Sequence, residues 1–130
     1  MIAGIGTDIC DIRRIEALLE KFGDRFAQKV FTQNERERAN AQSARGSSYA
    51  KRFAAKEAVA KALADANTGA LSWQDVEITN SPSGKPEIIL HGKALNRMQS
   101  RLDTGQTYKI HLSLTDDYPY AQAFVIIEIL

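Results

Sequence analysis

Apolar and polar positions alternate along Met1–Ile12, which predicts a strand. Ile2, Gly4, Gly6, Asp8, Cys10 and Ile12 share one face, and Ala3, Ile5, Thr7, Ile9 and Asp11 share the other. Two glycines beside Asp8 leave room for another backbone, or a ligand, to approach closely. From about Arg13 to Ala66 the period is helical. Ile15, Leu18, Leu19 and Phe22 form an amphipathic stripe that Gly23-Asp24 closes. Thr32-Gln33-Asn34-Glu35 has the spacing of a capping box and should open another helix. Gly46-Ser47-Ser48 then begins a long alanine-rich helix running to about Ala66, with Tyr49, Phe53, Val59 and Leu63 as its bulky arc.

Beyond Ala66 the period changes. Val76–Thr79 and Pro86–Leu90 read as short strands joined by the turn at Asn80–Lys85. Lys93–Leu102 reads as a short helix, and Tyr108–Thr115 and Tyr120–Leu130 as two more strands. In the first of these, Ile110, Leu112 and Leu114 should face the core. The second is apolar on both faces and should be a central or interface strand. The pattern predicts an α+β fold, a mainly antiparallel sheet packed around a long central helix.

At 130 residues the chain supports one domain spanning 1–130. A composition of 44% hydrophobic and 25% charged residues excludes a disordered, collagen-like or disulfide-framework protein. The lone Cys10 has no partner within the chain, which points to a reducing compartment. Met1–Gly6 lacks the features of a signal peptide, and no apolar run approaches the ~20 residues of a membrane span. A cytoplasmic location without membrane association is expected.

The net charge of +1 conceals an uneven distribution: −2 over residues 1–12, +6 over 13–61 and −3 over 62–130. The basic segment suggests an anionic partner on one side, although lysines and arginines also simply solvate helix faces.

Several familiar signatures are absent. Gly4-Ile5-Gly6 opens like a dinucleotide fingerprint but lacks its third glycine, and there is no Walker sequence or His-Glu-x-x-His. What remains is Asp8, a charge interrupting an apolar strand, and Glu57, one helical turn before Lys61 and flanked by Arg52 and Lys56. Taken separately, Glu57–Lys61 is an i,i+4 surface pair and Asp8 a turn or cap residue. Taken together, two carboxylates among cations make half of a magnesium site, which waters and substrate phosphates would complete. That reading suggests phosphoryl-type transfer.

Three motifs in order carry a resemblance over essentially the whole chain. They are Gly4-Ile5-Gly6-Thr7-Asp8-Ile9 followed by Arg14-Ile15, then Arg52-Phe53-Ala54-Ala55-Lys56-Glu57-Ala58 with Lys61-Ala62-Leu63, then Gly84-Lys85-Pro86. A weaker fourth is Ser113-Leu114-Thr115 ahead of Tyr120-Ala121. The chain resembles the small bacterial holo-(acyl-carrier-protein) synthases, a type of 4′-phosphopantetheinyl transferase. The resemblance implies transfer of the phosphopantetheine arm of coenzyme A to a serine of apo acyl carrier protein, releasing adenosine 3′,5′-bisphosphate, in fatty acid biosynthesis. It implies that Asp8 and Glu57 hold Mg²⁺ against the pyrophosphate, and that Lys61 contacts the pyrophosphate and offsets its charge. It makes Glu57, directly or through a metal-bound water, the base for the carrier serine. Arg52 and Lys56 would serve the phosphates of coenzyme A, Gly84-Lys85-Pro86 would border the adenine, and Thr115 would lie near the 3′-phosphate. Arg14, Leu18, Lys21 and Arg25 would dock the acidic carrier protein. Homotrimers with active sites at subunit interfaces are implied as well.

The sequence departs from that pattern at Ala64, where glycine is common, at Asp116, where histidine is common, and at Cys10, where an aliphatic residue is usual. The reading to be weighed against an enzyme is a nucleic-acid-binding module using the basic segment 13–61. Against it, that segment shows no basic–aromatic interleaving and no nucleic-acid-binding signature, so no nucleic acid partner is expected.

Overall fold

The structure, a computed structural model, describes residues 1–65 and 69–130. Strand β1 (Ile2–Asp11) runs directly into helix α1 (Ile12–Phe22). Asp11 caps that helix, its carboxylate accepting from the backbone N–H of Arg13. Gly23, at φ 55°, takes the left-handed turn that separates α1 from α2 (Asp24–Val30), a helix the sequence pattern did not single out. The capping box forms as its spacing predicts. Thr32 accepts from the N–H of Glu35, and the Glu35 carboxylate accepts from the N–H of Thr32, opening α3 (Gln33–Asn40).

The long helix α4 (Arg45–Ala62) starts one residue before Gly46. The end expected near Ala66 lies outside the described residues, and α4 itself closes at Ala62. A short 3-10 turn at Trp73–Asp75 leads into β2 (Val76–Asn80), β3 (Pro86–Leu90), α5 (Gly92–Gln99), β4 (Tyr108–Asp117) and β5 (Tyr120–Ile129).

The strands form two sheets, not one. The larger has the order β1-β5-β4, all antiparallel, and β2 and β3 pair as a separate antiparallel hairpin. The doubly apolar β5 is therefore the central strand. Its Ala121, Ala123, Val125 and Ile127 are fully buried against the α4 side. Its Phe124 lies on the other face, among the exposed Ile5 and Ile9 of β1. Ile110, Leu112 and Leu114 of β4 are the less exposed residues of that strand and pack on the core, as their alternation requires.

Helix α4 is the centre of the fold, with Tyr49, Ala50, Ala54, Ala55, Ala58 and Val59 fully buried along it and Leu63 fully buried at its C-cap. Its carbonyl end is closed by Arg97 and Arg101, which donate to the backbone oxygens of Leu63 and of Ala62, Leu63 and Ala64 respectively. Cations at this end also oppose the negative pole of the helix. Among the described residues no helix is long and apolar enough to cross a membrane.

The contact that locates everything else is between β1 and α4. A Cβ placed on Gly6 would lie 1.9 Å from the carbonyl oxygen of Ala58, and one on Gly4 would lie 2.4 Å from that of Ala62. Both obstacles are backbone atoms, so no rotamer change relieves them. Gly6→Ala is expected to destabilise the protein by about 3 kcal/mol through overpacking. Urea unfolding with an unchanged m value checks this, and a loss below about 1 kcal/mol would show that α4 can move aside.

Candidate active site

The β1–α4 contact carries Asp8 to the helix face that presents Glu57 and Lys61. Asp8 lies two residues past Gly6 on the same strand face, and the Lys61 ammonium donates to its Oδ1 at 3.1 Å and to the carbonyl of Thr7 at 2.9 Å. The Asp8 side chain is 16% exposed and that of Lys61 is 55% exposed, so the pair sits at the mouth of a site with the cation toward solvent. Asp8 and Glu57 together line a cavity of about 540 Å³ with Ile9, Arg14, Leu18, Phe53 and Trp73. Burial pushes the Glu57 carboxyl up from its ordinary value and the neighbouring Asp8 charge adds to this, while Lys61 and Arg14 pull the other way. Two carboxylates that line one cavity make a place for a hard cation.

The side of the cavity nearest α1 is aromatic. The Arg14 guanidinium lies over the Phe53 ring at 5.3 Å, and Phe53 stacks on Trp73 with ring centroids 5.0 Å apart. Arg14 and Leu18 thus reach the same cavity as Asp8 and Glu57. Lys21, exposed on α1, lies 5.1 Å from the centroid of the exposed Phe22 ring. Arg25 is also exposed but belongs to α2, beyond the break at Gly23, so the four expected docking residues do not form one continuous helical stripe.

Arg52 sits elsewhere. It is 6% exposed, and its Nη1 donates to Oγ of Ser48 at 2.6 Å and to the Ser48 carbonyl at 3.2 Å. Its Nη2 reaches Asn80 Oδ1 at 3.5 Å, and Asn80 in turn donates to the carbonyl of Gly84 at 2.9 Å. The turn bearing Gly84 is thereby tied to the arginine. Arg52 Nε is the one buried side-chain polar atom without a partner among the described residues. Burial also pushes the Arg52 pKa down. Arg38, Lys51, Arg52, Gly84, Pro86 and Asp116 line a second, largely polar cavity of about 360 Å³. An unsatisfied guanidinium nitrogen among further cations is suited to an anionic ligand. Asp116 does not stand bare there, because Lys51 holds its carboxylate at 3.2 Å. Lys85 is exposed at the turn.

Two expected ligands depart from this picture. Lys56 does not face a phosphate. It is 2% exposed, and its ammonium pairs with Glu35 at 2.8 Å and donates to the carbonyls of Trp73 and Val76. A lysine fully removed from water must spend its donors internally, and here they fasten the Trp73 turn to α4. The expectation that it serves coenzyme A phosphates therefore gives way to a structural role. Thr115 is exposed on the outer face of the large sheet, whereas its neighbours Leu114 and Asp116 line the Arg52 cavity. Within one chain it does not meet Arg52. Sequence reasoning missed Trp73, and it missed the pairing of Glu35 with Lys56. The only signal for Glu35 was its place in the capping box.

The geometry has close counterparts among known proteins. The family profile described as the 4′-phosphopantetheinyl transferase superfamily matches residues 4–123. The chain belongs to this superfamily. A holo-(acyl-carrier-protein) synthase of a Caulobacter species is 58% identical over 128 residues, covering 98% of this chain and 96% of that protein. The crystal structure of the Neisseria meningitidis holo-(acyl-carrier-protein) synthase superposes with a TM-score of 0.81 at 38% identity, covering 98% of this chain and 99% of that one. The Helicobacter pylori synthase, solved in complex with coenzyme A, gives a TM-score of 0.77 at 29% identity, covering 95% and 99%.

The upward shift of Glu57 has a sign that can be checked. Folding favours the protonated carboxyl, so its ionisation opposes folding above the folded-state pKa, and the penalty vanishes well below the ordinary value. In buffer with a chelator, Glu57→Gln should melt a few degrees above the unaltered chain at about pH 8 and level with it at about pH 3.5. A lower Tm at pH 8 would show that the carboxylate is stabilised where it stands.

Proposed function

We propose that this chain transfers the 4′-phosphopantetheine moiety of coenzyme A to a serine hydroxyl of apo acyl carrier protein, as a single catalytic domain. The observation that carries the reading is the convergence of Asp8, Glu57 and Lys61 at one cavity edge, beside a second, cation-lined cavity holding Arg52, Gly84 and Pro86. Superfamily membership and the names of the relatives support the substrate class.

Asp8 and Glu57 fit a hard divalent cation such as Mg²⁺. Among the described residues no cluster of three or more metal-ligating side chains exists, so waters and substrate oxygens would supply the remaining ligands, as Mg²⁺ prefers. When bound there, the ion supplies charge neutralisation for a pyrophosphate. Lys61, exposed yet anchored on Thr7 and Asp8, neutralises phosphate charge and lies ready to protonate the departing oxygen. Glu57, directly or through a water, accepts the proton of the serine hydroxyl. The buried Arg52 grips a phosphate of the nucleotide end, with the Gly84–Pro86 turn beside the base. The transferred group leaves adenosine 3′,5′-bisphosphate behind.

Arg14, Leu18, Lys21 and Arg25 form the docking surface for the acidic carrier. The chain works as a homotrimer in the cytoplasm. Supporting this assembly, Ile5 and Ile9 are 62% and 64% exposed on one sheet face, beside Phe124 at 40%. Thr115 lies on that same face, positioned to serve a neighbour's site and not its own. The basic segment 13–61 is a poor nucleic-acid surface, because two of its cations, Arg52 and Lys56, are buried.

Incubating the chain with apo carrier protein, coenzyme A and Mg²⁺ should raise the carrier mass by one phosphopantetheine. Asp8→Ala should cut the rate at least ~100-fold with unchanged circular dichroism. No mass increase with any divalent metal would sink the enzyme reading. For docking, Arg14→Glu should raise the carrier KM about tenfold and leave that of coenzyme A within about twofold. Equal effects on both substrates would remove α1 from the docking surface.

A further inference from the structure

The last turn of α4 delivers Lys61, and two side chains from elsewhere in the chain decide how that turn ends. A helix commonly closes on a glycine at C′ in the left-handed region, so that backbone N–H groups reach back to the final carbonyls. Here the residue after the C-cap Leu63 is Ala64, and among the described residues every positive φ belongs to a glycine. The backbone closes itself only as far as Lys61. The N–H of Leu63 reaches the Val59 carbonyl at 2.9 Å, and that of Ala64 reaches the Lys61 carbonyl at 3.2 Å. Past this point arginines take over. Arg101 Nη2 donates to the carbonyl of Leu63 at 2.8 Å and to that of Ala64 at 3.4 Å, and Nη1 donates to that of Ala62 at 3.4 Å. Arg97 adds a second donor to Leu63 at 3.4 Å and also reaches the carbonyl of Gly69.

The carbonyl oxygen of Ala62 is held from two directions. It is the atom against which Gly4 of β1 rests, and Arg101 donates to it from the turn that follows α5. Lys61 precedes it by one residue, and its ammonium donates to Thr7 and Asp8 of the same strand. The Lys61 side chain is itself 55% exposed, so packing does little to fix it. Its reach is set by the backbone it leaves from. Charge acts in the same direction. The free carbonyls of a helix end carry about half a negative charge, which opposes any phosphate drawn to Lys61. Guanidinium groups seated on those carbonyls offset it.

We propose that Arg101, seconded by Arg97, is a positioning residue for Lys61. It acts through the lysine and not on substrate: its fork fixes the oxygens that end α4, and with them the reach of the ammonium to Asp8 and to the departing phosphate. The part played in catalysis rests on the transferase reading above, and the anchoring of Lys61 does not.

Anchoring is read without substrate, by mild acetylation of the lysines of the full chain, followed residue by residue with peptide mass spectrometry. In Arg101→Ala the acetylation rate of Lys61 should rise about fivefold, because the paired ammonium is released more often. Exposed Lys85 should stay within about twofold of its rate, and buried Lys56 should stay unlabelled. In the transfer assay the same variant should lose about tenfold in kcat with the KM of coenzyme A and of the carrier each within about twofold, as for an interaction realised only in the transition state. An unchanged Lys61 rate would overturn the proposal, as would an unchanged kcat or a rise in both KM values. Labelling of Lys56 in step with Lys61 would overturn it too, since Arg101 would then act on the whole core. Should Arg101→Ala not fold, Arg101→Lys decides, because one ammonium keeps the charge but does not span the three oxygens. Lys61 labelling should then still rise at least about twofold, and no rise would overturn the proposal. Failure of the unaltered chain to modify any carrier sinks the transferase reading, and the labelling alone then judges the anchoring.

Discussion

Every functional distance in this molecule depends on how closely β1 approaches α4. A strand advances about 6.6 Å per two residues and a helix about 6 Å per four, so the two periods run nearly in step. Gly4 meets Ala62 and Gly6 meets Ala58, one strand repeat against one helical repeat. Continuing the sequence places Asp8 beside the turn of α4 whose exposed flank carries Glu57 and Lys61. The carboxylate pair is not assembled by flexible side chains reaching for one another. It is produced by two rigid elements in phase, with glycines at the positions where any larger residue would force them apart.

The charge pattern becomes intelligible on the same scaffold. The +6 of residues 13–61 is spread over four helices, and its members do different physical work. Arg14 is spread over an aromatic ring near the site, Lys61 is exposed and paired to Asp8, Arg52 is buried with one nitrogen unsatisfied, and Lys56 is consumed within the core. Only the last contributes nothing to the field a ligand meets. A sum of charges cannot separate these cases, because burial and pairing decide how much of each charge survives at the surface.

What could be read from the chain follows the same division between local and distant causes. The β1 alternation, the Thr32–Glu35 capping box and the alanine-rich α4 are local patterns, and each formed in its place, although α4 closes at Ala62, short of the expected end. The significance of Gly4 and Gly6 was legible because two glycines on one strand face have few other uses. The fate of Lys56 was not, since its partners are a carboxylate 21 residues earlier and two carbonyls more than 15 residues later. Trp73 escaped because a three-residue turn has no period to detect, and because its meaning lies in the cavity it lines. The split into two sheets was hidden too, as strand pattern specifies which face is apolar and not which strand is the neighbour.

The β1 glycines also bear on how the chain reaches its native pairing. A strand shifted by one residue exchanges its two faces, and such slips are a common hazard of antiparallel sheets. Slipping β1 against β5 would turn Ile5 and Thr7 toward α4, at the places where not even a methyl group fits. The misregistered sheet is therefore unable to close over the long helix. Any chain that completes its core has, by steric exclusion, already put Asp8 on the inner face, so the placement of this carboxylate is a condition of folding and requires no ligand to select it.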